Sequence, residues 1–257
     1  MPILRQDDFA IYYESTGQGD PLLLMPGALG TGTTDFPHQI PFFSKTHRVI
    51  AFDPRGYGRS RPPVRDYPPH FYERDADDAL ALMTALNLRR FSVLGWSDGA
   101  NSGTILAARN PERVTQLVVW AGNSFLTEAE LHIFQSMRSL FTWSERALEP
   151  MRAVYGSDLE SLWESYVAGL ERIYAAGGDL YRPLLSAVQC PTLILHGDKD
   201  PLVPAEHPEI IHRGIAGSEL IRFAAGKHNI HARYYVEFNQ KVASFLARTK
   251  ATSTPAQ

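Results

Sequence analysis

The chain of 257 residues contains a single cysteine, Cys190, so no disulfide can form within it. Cys190 stands just before the apolar run Thr192–Leu195, a position that reads as a buried structural thiol. No apolar run approaches the ~20 residues needed to span a bilayer. The opening residues, Met1-Pro2-Ile3-Leu4-Arg5-Gln6-Asp7-Asp8, lack the basic and apolar blocks of a secretion signal. Neither sign of charge dominates: 25 Lys+Arg against 28 Asp+Glu give a formal net charge of −3. That removes the electrostatic reason to expect nucleic acid or an anionic membrane as a partner. Internal repeats, low-complexity tracts, metal-ligand clusters and a dinucleotide fingerprint are all missing, so no cofactor is implied. These absences lead to the expectation of a cytoplasmic protein that meets a small molecule, and they leave its oligomeric state open.

What is present is an ordinary globular balance, 44% hydrophobic and 21% charged, in a chain long enough for a large core. Short β runs alternate with amphipathic helices. Ala10–Glu14, Leu22–Met25, Arg48–Phe52, Phe91–Leu94, Val114–Trp120, Thr192–His196 and Glu219–Phe223 read as strands. Several are continuously apolar, as strands buried on both faces of a parallel sheet are. Ala76, Leu80, Met83 and Leu86 fall on one helical face, as do Tyr235, Phe238, Val242 and Phe245. The alternation predicts an α/β fold with a mostly parallel, doubly wound sheet.

Between about Ser124 and Ala187 the alternation stops and the pattern is helical. Thr127 and Glu130 form a capping-box pair at its start, and Pro150 and Gly177-Gly178 punctuate it. The expected organisation is a core from residues 1–123 and 188–248, a helical cap insertion over 124–187, and a disordered polar tail over 249–257. A cap of this kind would lie over the C-terminal edge of the sheet, where open α/β sheets bind ligands. Most of its aromatics, Phe134, Phe141, Trp143, Tyr155, Trp163, Tyr166 and Tyr174, are expected to pack the cap onto the body.

The chemistry is concentrated in Gly95-Trp96-Ser97-Asp98-Gly99. This Gly-x-Ser-x-Gly follows a strand and precedes a helical run, the setting of a nucleophile elbow. The serine must occupy a strained turn, and side chains two residues to either side would clash. A serine hydroxyl is a weak nucleophile and needs a base. In this fold the chain order is Ser, acid, His. Downstream, Asp200 lies in Gly197-Asp198-Lys199-Asp200-Pro201 and His228 in Gly226-Lys227-His228-Asn229, each after a strand. The predicted triad is Ser97, Asp200 and His228, with Asp198 and His231 as alternative acid and base. The oxyanion hole should draw on the N–H of Asp98 and on the Pro26-Gly27-Ala28-Leu29-Gly30 loop, through the N–H of Ala28 or else of Leu29. In the turn Asp53-Pro54-Arg55-Gly56-Tyr57-Gly58, Asp53 and Arg55 are expected to form a structural ion pair.

These motifs resemble the α/β-hydrolases, and more specifically the biphenyl hydrolase-like or valacyclovir hydrolase family. The Asp53–Ser60 turn, the Gly95–Gly99 elbow, the Gly197–Pro204 loop and the Gly226–Asn229 loop resemble α/β-hydrolases generally. The closer resemblance runs from about Ile11 to Phe245 and is carried by Met25-Pro26-Gly27-Ala28-Leu29-Gly30, Thr34-Asp35-Phe36, Gly95-Trp96-Ser97-Asp98, Trp143-Ser144-Glu145-Arg146 and Gly226-Lys227-His228-Asn229. Met25 and Ala100 depart from common family residues, and neither departure removes a catalytic group. The resemblance implies an esterase acting on α-amino acid esters, with the carboxylate of Asp98 binding the substrate ammonium. Asp98 would also suit a helix N-terminus for its dipole alone. Two other readings stay open: a C–C bond hydrolase of ring-cleavage products, and a non-catalytic small-molecule receptor on the same scaffold. Dianionic ring-cleavage products would be repelled by Asp98.

Overall fold

The computed structural model describes residues 3–5 and 9–252. In chain order its regular elements are β1 (Ile3–Arg5), β2 (Ala10–Thr16), β3 (Asp20–Met25), α1 (Gln39–Phe43), β4 (His47–Phe52), α2 (Phe71–Ala85), β5 (Phe91–Trp96), α3 (Asp98–Arg109) and β6 (Val114–Trp120). There follow α4 (Glu128–Ser136), α5 (Glu145–Tyr155) and α6 (Leu159–Ala175), and then β7 (Thr192–Gly197), α7 (Glu206–Gly214), β8 (Glu219–Phe223), α8 (Ile230–Arg233) and α9 (Tyr235–Thr252). Among the described residues the strands make one eight-stranded sheet in the order β1-β2-β4-β3-β5-β6-β7-β8. β1 and β2 pair antiparallel, and every pairing from β4 to β8 is parallel.

Alternate residues of the central strands feed two cores. Leu23, Met25, Val93, Leu117 and Val119 face the side that holds Leu82, Met83, Ile105 and Leu106 of α2 and α3. Leu22, Leu24, Leu94, Val118 and Trp120 face Phe43, Phe238, Val242 and Phe245 of α1 and α9. This period of two, with both faces apolar, produces the continuous hydrophobic runs in the sequence. The chain steps from β3 to β4 on one side and returns to β5 on the other. The crevice at the C-terminal ends of β3 and β5 is therefore the switch point at which such sheets bind ligands.

The chain leaves the sheet after β6 and returns at β7, and α4 to α6 lie in between. Thr127 opens α4 with a complete capping box: its side chain accepts from the Glu130 amide, and Glu130 accepts from the Thr127 amide. The Glu130 carboxylate is fully buried and also meets His207 Nε2 on α7 at 3.0 Å. α6 ends at Gly177 and Gly178, both at positive φ. Gly169 lets α6 approach the body closely, because a Cβ there would sit 2.6 Å from Tyr67 Cβ.

Several local expectations need correction. Pro150 does not punctuate the segment but sits inside α5. Phe141 does not pack at all and is 97% exposed. Tyr235 leaves the buried face of α9 and stacks on His38, with ring centroids 4.1 Å apart. α9 continues to Thr252, so residues 249–252 are helical, and Thr249 Oγ1 meets Gln116 Nε2 at 2.5 Å. The remainder of that tail, 253–257, lies outside the described residues, as do residues 1–2 and 6–8 of the opening segment. Asp53 and Arg55 do not pair with each other. Asp53 folds back to accept from the amides of Gly32 and Arg59, while Arg55 reaches Asp78 on α2. Asp53 ends its strand pointing inward, so the flanking loop amides reach it before Arg55 can.

Candidate active site

Ser97 sits between β5 and α3 at φ 54° and ψ −120°, a sparsely populated conformation for a residue with a side chain. The flanking glycines make it possible. A Cβ on Gly95 would lie 2.3 Å from the carbonyl oxygen of Gly99, and one on Gly99 would lie 2.0 Å from that of Met25. With both absent, α3 turns directly off the strand and lifts the Ser97 hydroxyl to the sheet edge. Asp98 is the first residue of α3, so its N–H belongs to the helix's first turn, whose amides have no intrahelical acceptor.

Two other strand ends reach the same point. His228 Nε2 lies 3.1 Å from Ser97 Oγ, and His228 Nδ1 lies 2.8 Å from Asp200 Oδ2. The other Asp200 oxygen accepts from the amides of Leu202 and Val203 at 2.9 and 3.1 Å. Burial opposes ionisation of Asp200, yet the His228 contact and these amides outweigh it and hold the carboxyl below its ordinary value. Trp96, the variable residue of the elbow motif, donates Nε1 to the carbonyl oxygen of His228 at 3.1 Å. The competing residues point elsewhere. Asp198 pairs with Arg222 at 2.6 Å. His231 is buried, accepts from Trp120 Nε1 at Nδ1, and meets the Asp35 carbonyl through Nε2. Burial pushes its imidazole down to about 3, so it stays neutral.

The loop after β3 faces Ser97 across the crevice. Gly30 donates to the Gly27 carbonyl in a tight turn, and the Gly27 amide donates to Asp35 Oδ2 at 2.9 Å. Leu29 adopts φ 57° with its side chain buried, while Ala28 lines the cavity that holds Ser97.

That cavity has a volume of about 180 Å³. Its apolar lining includes Phe134, Met137, Trp143, Met151 and Trp163, residues from the segment between β6 and β7, and its polar lining includes Asp98, Tyr72, Tyr166 and Asn123. Asp98 Oδ1 accepts from the Tyr72 and Tyr166 hydroxyls, each at 3.0 Å. Asp98 Oδ2 is buried and has no hydrogen-bond partner among the described residues. Burial drives the Asp98 carboxyl up to about 6 even though both tyrosines pull it down.

Residues 20–171, more than half of the chain, match the family described as the alpha/beta hydrolase fold. The chain belongs to the α/β-hydrolase family. This hydrolase is 45% identical over 240 residues to the human protein named serine hydrolase BPHL, an alignment covering 92% of the chain and 82% of that protein. It is 27% identical to 3-oxoadipate enol-lactonase 2 of Acinetobacter baylyi over 95% of the chain and 96% of that enzyme. It superimposes on a hydrolase from Pseudomonas aeruginosa with a TM-score of 0.77 and 27% identity, covering 95% and 97% of the two chains. The likeness to the human protein identifies it as a serine hydrolase of the biphenyl hydrolase-like group.

Sequence reasoning passed over several residues that shape this hydrolase's crevice. Tyr166 reads as one of the aromatics that pack residues 124–187 onto the body, Trp96 as the free position of the motif, and Tyr72 draws no reading at all. Only their placement reveals them: their polar tips are turned onto Asp98 and His228 while their rings fill the core. A larger surface cleft, about 550 Å³, lies beside Arg61 and Asp158, and Ser97 and His228 do not line it. Among the described residues no group of three or more His, Cys, Asp or Glu side chains could hold a metal ion. No helix there is long and apolar enough to cross a membrane.

Proposed function

We propose that this serine hydrolase cleaves carboxylic esters of α-amino acids through an acyl-enzyme. Residues 124–187 act as a cap over the site. His228 takes the proton of Ser97 as the hydroxyl attacks the ester carbonyl, and Asp200 orients the imidazole and stabilises its cationic form. The oxygen that becomes negative is held by the amides of Asp98 and Ala28; Leu29 serves less well, because Ala28 is the one that lines the cavity. The imidazolium returns its proton to the leaving alcohol. Water, activated by the same imidazole, then attacks the acyl-enzyme and releases the free amino acid. The partner is a small-molecule ester. We place the enzyme in the cytoplasm, where its one free thiol, Cys190, stays reduced.

The observation that carries the amino-acid preference is the buried Asp98, adjacent in sequence to the nucleophile, with Oδ2 left without a partner. A carboxylate at the mouth of an acyl pocket attracts an ammonium on the carbon beside the scissile carbonyl. It repels acyl groups that carry their own carboxylate, which disfavours the dianionic substrates of C–C bond hydrolases. The test is a panel of esters with one alcohol and matched acyl groups, with and without the α-amine. The ratio of kcat/KM for the two types should favour the amine and collapse in Asp98→Asn, by roughly 30- to several thousand-fold if a partly desolvated charge pair is lost. A ratio that Asp98→Asn leaves unchanged overturns the reading.

A further inference from the structure

The Asp98 carboxylate is used asymmetrically. Both tyrosine hydroxyls fall on Oδ1, each at 3.0 Å, and Oδ2 is left bare. The two donors come from different layers of the molecule. Tyr72 lies in the first turn of α2, in the body, with its ring against Phe71 at a centroid distance of 4.0 Å. Tyr166 lies on α6, in the cap, with its ring among Tyr67, Phe71, Phe134 and Trp163. The close approach that Gly169 permits, one helical turn on from Tyr166, sets α6 at the depth at which that hydroxyl reaches the carboxylate.

We propose that Tyr72 and Tyr166 are positioning residues for amine recognition: they pin Oδ1, keep Asp98 ionised, and present Oδ2 alone to the substrate. This rests on the α-amino ester reading of the site. A buried carboxylate without donors takes up a proton, and a neutral carboxyl does not hold an ammonium by charge. Two hydroxyls on one oxygen favour the anion and fix the plane of the group. The single open oxygen then suits an amine that donates one charge-assisted hydrogen bond, primary or secondary. It offers no second oxygen for a bidentate guanidinium, and a quaternary ammonium keeps the attraction of charge there but gives no hydrogen bond. Because Tyr166 belongs to the cap, the ammonium site is complete only when the cap is seated on the body.

The groups that act on Asp98 are few. Tyr72 faces it from α2 and Tyr166 from α6, Tyr57 lies nearby in the loop after β4, and the buried Arg65–Asp75 pair acts on it through charge. Ser97 and His228 stand across the cavity. None of the three tyrosines competes for the charge, since burial raises all their hydroxyls above the ordinary tyrosine value.

The experiment measures kcat/KM against pH for an α-amino ester and its des-amino counterpart in the wild type, Tyr72→Phe, Tyr166→Phe and Asp98→Asn. Protonation of the triad lowers both substrates alike, so an acid limb present only for the α-amino ester belongs to Asp98. Loss of one hydroxyl should move that limb upward by about one pH unit, the worth of a hydrogen bond to a charged group. The α-amino to des-amino ratio should fall about tenfold at pH 5, on the acid side of both limbs, and only about twofold at pH 7, with the des-amino ester as internal reference for damage common to both. An esterified N,N,N-trimethyl amino acid keeps the attraction of charge but not the hydrogen bond, so its rate should fall in Asp98→Asn by more than that of the des-amino ester and by less than that of the α-amino ester. If the ratio collapses in Asp98→Asn while both phenylalanine variants keep the wild-type limb, the inference fails and the amino-ester reading stands. A ratio that falls in the phenylalanine variants without a moved limb also overturns it, since the tyrosines would then only shape the pocket. An unchanged ratio in Asp98→Asn overturns both.

Discussion

Tyr155 on α5 donates its hydroxyl to the carbonyl oxygen of Leu29 at 2.7 Å. The bond joins the segment between β6 and β7 to the loop after β3, at the residue whose φ is 57°. Asp35 holds the same loop from its other end, through the Gly27 amide. Tyr155→Phe should therefore loosen the Ala28 amide. With a net worth of about 1 kcal/mol for such a bond, kcat/KM is expected to fall roughly two- to tenfold for esters with or without an amine. A trifluoromethyl ketone, which forms an oxyanion when Ser97 adds to it, should lose affinity by a similar factor. Unaltered ketone affinity would separate this loop from the chemistry.

Replacement of Ser97 or His228 by Ala should each abolish nearly all turnover, and the double variant should be no worse, because the two act as one unit. Asp200→Asn should lose up to about 10⁴-fold in kcat, through a misoriented imidazole. Asp198→Asn should change turnover little, since Asp198 is engaged with Arg222. A reversed order for the two aspartates would move the acid to Asp198.

The elbow glycines set a stability test. Gly99→Ala places a methyl 2.0 Å from the Met25 carbonyl oxygen, on backbone that cannot swing aside. Its cost should exceed about 3 kcal/mol, or the protein should not accumulate folded. Gly103→Ala meets Val93 Cγ1 at 3.1 Å, a side chain that can shift, and should cost far less. Urea unfolding of the two variants measures the difference.

Asp98 should also leave a mark on stability. Its folded carboxyl is raised to about 6, above its value of ~3.9 in an unfolded chain. The folded state therefore holds a proton that the unfolded state has lost between those values, and stability falls as pH rises through that window. Asp98→Asn removes this dependence. Relative to the wild type, the variant should gain about 2–3 kcal/mol between pH 4 and pH 8. Equal unfolding curves at both pH values would mean that the carboxyl is not raised.

The strand ends carried most of the legible signal. Gly95, Ser97 and Gly99 announce a turn because the clashes that forbid other residues are local, within a few positions of one another. The loops bearing Asp200 and His228 are readable as loops after strands, and Asp200 is preferred to Asp198 because it lies deeper in the turn and precedes Pro201; the structure puts Asp200 against His228 and Asp198 against Arg222. Tyr72 and Tyr166 lie 94 positions apart, and each obeys the helical period of an ordinary core residue. Their convergence on one oxygen depends on how α6 docks, which no local pattern encodes. Asp53 and Arg55 show the reverse error, in which closeness in sequence suggested a pair that strand geometry turns apart.

The buried contact between Glu130 and His207 has a mechanical consequence. It rivets the start of α4 to α7, the helix that follows the Asp200 loop, and Asn123 adds a second fastening through Nδ2 to Glu130 at 3.0 Å. A segment fastened at its start has more freedom at its far turn than at the rivet. Around the turn between α4 and α5, Phe141 projects into solvent and Trp143 lines the cavity that holds Ser97, so substitutions at residues 137–143 should reshape that wall while the anchored end stays in place.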